Sequence, residues 1–193
     1  MGMATNFGFN DRKYPMKENG KVCKIYIRWV NMLSRCYDER YRDQRPTYLH
    51  CTASDNFKNY SFFREWFCSQ IGSNEPGVNL DKDLLVKGNK VYSEDTCLLL
   101  PPLVNNQIIK SDKIRGDLPI GVYFNKNENL FKAQIKKNGK KVQLCLSDDP
   151  MVCFNAYKEE KERHLKGIAK EYRDRIDQRA YHALMNYSVE ITD

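Results

Sequence analysis

Between Val78 and Gln107 the chain reads VNLDKDLLVKGNKVYSEDTCLLLPPLVNNQ, and its reactive side chains fall in three small groups. Asp81, Lys82 and Asp83 sit together on a short extended run, Asn89 follows a glycine in the next loop, and Asn105 and Asn106 stand side by side beyond a Pro-Pro step. Carboxylates and amides so close to a turn are suited to holding a loop by hydrogen bonds to its own backbone. A lysine beside them can donate or bind phosphate, and it serves as a base only when strongly desolvated. The three histidines, His50, His164 and His182, all lie outside this segment.

A second chemistry is electrostatic. From Lys110 to Lys141 eight Lys and one Arg stand against Asp112, Asp117 and Glu128, a net +6 out of the +7 of the whole chain. Such clustering is the footprint expected of a nucleic-acid contact, because each phosphate neutralised by a cation releases counterions. A solvated lysine-rich hairpin is the plainer alternative for the same residues.

The elements that must position these groups can be read from periodicity. Tyr26, Trp29, Val30, Leu33 and Cys36 recur at three and four and predict a helix over 25–37. Asp55 stands as the N-cap of a second helix, striped with Phe57, Tyr60, Phe63, Trp66 and Phe67, and Gly72, Pro76 and Gly77 end it. Two short strands, 78–86 and 97–100, flank the polar loop, and Pro101-Pro102 opens a helix carrying the Asn pair. The order there is ββα.

Beyond a polar linker over 111–117 the period changes to two. Phe131, Ala133 and Ile135 alternate with Lys132, Gln134 and Lys136, while Val142, Leu144 and Leu146 alternate with Lys141, Gln143 and Cys145. Asn138-Gly139 is a strong hairpin signal between them. One face is therefore expected to be oily and the other basic. Gly121 to Phe124 supplies a third strand, and Asp149 with Pro150 marks the start of a long helix covering the oily face, broken once near Gly167.

The 78–107 segment resembles the ββα-metal core of HNH nucleases, in a phage and mobile-element branch where a leucine-aspartate-lysine step replaces the usual aspartate-histidine. Trp29, Met32, Arg35 to Tyr37, Pro46, Tyr48, Cys51, Phe63 and Trp66 look like the preface that this branch places before that step. The resemblance implies a metal-dependent endonuclease of the homing or nicking type. Asp81 matches the metal-binding aspartate, Lys82 the general-base histidine, Asn89 the central loop residue, and Asn105 or Asn106 the metal ligand on the helix. Asp83 is an alternative base through metal-bound water. A single hard cation with few protein ligands suits Mg2+, or Mn2+. The departure at Lys82 matters, since imidazole accepts a proton near neutral pH and an ammonium does not.

The C-terminal part resembles DNA-binding domains of the Apetala/ethylene-response-factor (ERF) type, on Gly121, Val122, Phe131, Ala133, Ile135, the basic hairpin, Ala156 and Tyr157. In that family the sheet face away from the helix reads the major groove. Here this implies contacts to double-stranded DNA from Tyr123, Lys126, Lys132, Gln134, Lys136, Lys137, Lys140, Lys141 and Gln143.

Composition bounds the rest. No run approaches the roughly 18 apolar residues of a membrane span, so no membrane partner is expected. Seven Cys without a Cys-x-x-Cys pair argue against a disulfide framework and for a reducing cytoplasm, which the phage resemblance implies is that of a bacterial host, and they are expected to be buried hydrophobes without zinc. No small-molecule cofactor is implied. The fold expected is α+β: a flexible terminus over 1–20, an HNH-like module with its helical preface over 21–110, and over 117–193 a three-stranded antiparallel sheet packed on a long helix. The competing functions are metal-dependent DNA hydrolysis, DNA binding by a catalytically degenerate core, and interaction with a host protein.

Overall fold

Helices and sheets are both built here by amphipathic segments, and the fold is α+β. A computed structural model of the chain describes residues 7–109, 116–137 and 139–193. Most of the 111–117 linker, the basic residues Lys110, Lys113 and Arg115, and Asn138 of the hairpin turn lie outside the described residues. The chain divides into two compact units, 1–105 with 174–180, and 106–173 with 181–193.

The first unit is organised around α1 (Lys24–Tyr37), whose Trp29, Met32, Leu33 and Cys36 are all at most 1% exposed. Asp38 caps the short α2 (Glu39–Gln44) by accepting from the Tyr41 backbone N–H. The single second helix expected from the aromatic stripe is two. Ser54, not Asp55, caps α3 (Asp55–Lys58), and Asn59 then leaves the helix and caps α4 (Tyr60–Ser69) by accepting from Phe62 N. The interruption keeps Phe57, Tyr60 and Phe63 on one side, where each is fully buried, and the Trp29 indole donates to Phe57 O at 2.8 Å.

Within the segment where composition predicts a flexible terminus, Phe7 and Tyr14 rest against this core and most other described residues are exposed. Phe9 exchanges backbone bonds with Lys58 O (2.8 Å) and Tyr60 N (3.0 Å), and Phe7 lies against the same cluster. Two strands of two residues, β1 (Lys17–Glu18) and β2 (Lys21–Val22), complete the segment. Backbone pairing, the Phe7 and Tyr14 rings and side-chain bonds of Asp11 and Lys13 tie it to the unit.

Four short strands follow. β3 (Thr52–Ala53) pairs in parallel with β5 (Val91–Tyr92), while β4 (Asn79–Asp81) pairs antiparallel with β6 (Leu98–Leu100), Asp81 opposite Leu98. The strand expected over 78–86 is thus only three residues long, because the chain turns at Asp81. Helix α5 (Pro102–Ile108) starts at the Pro-Pro step as expected. Within this unit Arg175 also clasps Glu75 with two bonds of 2.9 and 2.7 Å.

In the second unit β7 (Val122–Asn125), β8 (Leu130–Lys137) and β9 (Lys140–Ser147) form an antiparallel sheet in that order. One face is covered by α6 (Pro150–Glu171), capped by Asp149 through Met151 N at 2.7 Å. Val122, Ala133 and Ile135 bury against Cys153, Phe154 and Tyr157. The helix runs through Gly167 unbroken: the cost of a mid-helix glycine is about 1 kcal/mol, too small to end 22 residues anchored by Leu165, Ile168 and Ala169. A last helix, α7 (Gln178–Met185), precedes the C-terminal segment.

Candidate functional site

Asp81, Asp83 and Asn89 of the 78–107 segment fold into a hydrogen-bonded loop. Asp81 ends β4, and its Oδ2 accepts from the backbone N–H groups of Asp83 (3.0 Å) and Leu84 (2.8 Å), which reverses the chain and buries Leu84. Asn89 donates from Nδ2 to Lys82 O (2.9 Å) and Val91 O (2.7 Å) and accepts at Oδ1 from Val91 N (2.9 Å). Both of its donors are thereby spent on backbone.

Lys82 lies inside this loop and is only 5% exposed. Its Nζ donates to Asp83 Oδ1 at 2.6 Å and to Asn89 O at 2.5 Å, and it stands 5.7 Å from the centre of the Tyr92 ring. A buried ammonium needs such partners, since an unpaired one would be strongly penalised. Tyr92 in turn is deeply buried beside Arg35, and burial pushes its hydroxyl far above its usual range. Burial likewise holds the Asp81 carboxyl above its ordinary value, offset in part by the N–H of Leu84.

Several of the oxygens that a divalent cation would need are engaged within the loop itself. A hard cation takes several oxygens, carboxylates foremost. Here one oxygen of Asp83 pairs with Lys82, the Asn89 amide is bound to backbone, and one oxygen of Asp81 accepts from two N–H groups. Asn105 is half-buried on α5 and makes no hydrogen bond to Asp81 among the described residues, and Asn106 is exposed and falls in the second unit. His50 is exposed in a left-handed turn (φ 67°). No group of three or more His, Cys, Asp or Glu is arranged to hold a metal among the described residues.

The uncovered face of the second unit's sheet is the other candidate. Cross-strand register places Tyr123, Lys132 and Leu146 in one row, Gln134 opposite Gln143 in the next, and Lys136 opposite Lys141 in the third. Asn125 lies on the same face, since β residues alternate. The Tyr123 hydroxyl donates to Gln134 Oε1 at 3.4 Å. Strands β7, β8 and β9 contain no Asp, Glu or Arg, so the charge of this face is entirely lysine. Lys126 and Lys140 are exposed at its margins.

Two residues depart from the strict alternation read in the sequence. A register shift between Ala133 and Gln134 inserts Leu144 as an extra residue in β9, so Cys145 sits inside, opposite Ala133, and Leu146 sits outside, opposite Lys132. A bulge reverses the side on which every later residue points, and no residue type in β9 marks it. Lys137 lies on the other face, where its Nζ pairs with Glu160 of α6. Lys137 and Arg163 hold the Glu160 carboxyl below its usual range.

No family model matches the chain, and no curated protein and no solved structure matches it.

Proposed function

We propose that this protein binds double-stranded DNA through the outer face of β7, β8 and β9, and that its HNH-like loop is a structural clamp and not a hydrolytic site. The observation that carries the first half is the all-lysine charge of an uncovered sheet face with amides between the cations. Lysines neutralise phosphates, amides reach base edges, and a sheet of two or three strands fits the major groove.

The burial of Lys82 carries the second half. Its three contacts fill the position where HNH nucleases, which this segment resembles, place a histidine base. With its Nζ donating to a carboxylate and to a backbone carbonyl, Lys82 is engaged as a donor, which supports a clamp over a base. The competing reading, metal-dependent hydrolysis, requires Mg2+ or Mn2+ at Asp81 with Asn105 or Asn106.

The test has two parts. The full chain should shift labelled duplex DNA in a fluorescence anisotropy titration, and it should leave supercoiled plasmid intact in Mg2+ and in Mn2+. Nicking that Asp81→Ala abolishes would restore the hydrolytic reading, and absence of any duplex binding would refute the DNA reading altogether.

A further inference from the structure

The outer face carries a chemical bias beyond charge. Its centre is the cross-strand pair Gln134 and Gln143, flanked on one side by Tyr123, Lys132 and Leu146 and on the other by Lys136 and Lys141. We infer that this face selects A·T base pairs in the major groove, with Gln134 and Gln143 as specificity-determining residues, Leu146 as the contact for a thymine methyl, and Tyr123 as a positioning residue. The inference rests on the reading that this face binds duplex DNA.

A glutamine amide offers one acceptor and one donor side by side. That pattern matches adenine, which presents an N6–H donor and an N7 acceptor, and mismatches guanine, which presents two acceptors at O6 and N7. Guanine is read best by a guanidinium, and the three strands contain no arginine. Leu146 is 39% exposed and lies two rows from the lysines at the hairpin tip, so an apolar surface stands next to the amides. Thymine is the base with a methyl group in the major groove.

Tyr123 fixes which way the Gln134 amide points. Its hydroxyl donates to Oε1, which has a second lone pair, so one acceptor site and the Nε2 donors remain for a base. The two glutamines sit on adjacent strands, about 5 Å apart at the backbone, close enough to address neighbouring base pairs. The tip lysines, being flexible point charges, are placed for phosphates on the groove edge.

The experiment is an anisotropy titration of the full chain at fixed low salt against duplexes of equal length. One is A·T, one is G·C, and one is inosine·cytosine, whose major groove is that of G·C and whose minor groove is that of A·T. The A·T duplex should bind at least about tenfold more tightly than the G·C duplex, the worth of one bidentate contact. Inosine·cytosine should behave as G·C. Replacing thymine by uracil should weaken parental binding, and Leu146→Ala should erase that difference. In Gln134→Ala and Gln143→Ala the A·T to G·C affinity ratio should fall toward one, and in Tyr123→Phe it should fall part of the way.

Equal affinity for the three duplexes, or a preference for G·C, would overturn the inference while leaving the DNA reading intact. Inosine·cytosine binding like A·T would assign the preference to the minor groove and overturn it too. No binding to any duplex would remove the reading on which it rests.

Discussion

Lys82 is held inside its loop by three partners. Its ammonium lies between Asp83, the Asn89 carbonyl and the Tyr92 ring, contacts that on the proposed reading hold a turn. Asp81 belongs to the same turn at an electrostatic cost. Burial raises its carboxyl above the ordinary 3.8, so between that value and the raised one the folded chain binds a proton that the unfolded chain has released. Stability therefore falls as pH rises through that window, and the buried charge is a net cost at neutral pH. Asp81→Asn keeps an oxygen for the N–H groups of Asp83 and Leu84 without the charge. Its urea midpoint at neutral pH should equal or exceed that of the parent, and the advantage should vanish on acidification. A variant less stable than the parent at neutral pH, with the gap closing in acid, would mean that the ionised form is favoured by folding.

At the scale of elements, the second unit depends on how closely its first strand approaches its long helix. Gly121 enters β7 at φ 76°, and a Cβ there would lie 2.2 Å from the Tyr157 ring. Both the backbone conformation and the space demand glycine. Gly121→Ala should lower the unit's stability by more than about 1 kcal/mol, seen as a lower urea midpoint, and an unchanged midpoint would contradict this packing. The period-two pattern made β8, the hairpin and the helix start at Pro150 legible in the sequence, because alternation and an Asp-Pro cap are local signals. The β9 bulge was not legible, since it arises from pairing with β8, and it moved Cys145 and Leu146 to opposite faces from those expected. The same limit hid β3 and β5, two-residue strands that exist only because Thr52 and Ala53 meet Val91 and Tyr92. At the candidate site the residue types were legible, but the inward turn of Lys82 was not: its partners Asn89 and Tyr92 lie seven and ten residues on, and only the folded loop brings them round it. Lys137 shares the helix-covered face with Ala133 and Ile135, as alternation in β8 itself implies, and there it pairs with Glu160.

At the scale of the whole molecule, the charge is concentrated where the uncovered sheet lies, and no helix among the described residues is long and apolar enough to cross a membrane. If that sheet is the DNA surface, binding must be coupled to counterion release through its lysines. The most direct measurement is duplex affinity against salt concentration for the parent and for a variant carrying Lys132→Gln, Lys136→Gln and Lys141→Gln. The account predicts weaker binding by the variant and a log-affinity versus log-salt slope flatter by about 0.9 for each phosphate that is no longer neutralised. A variant with the parental slope would show that these lysines touch no phosphate and would contradict the assignment of this face.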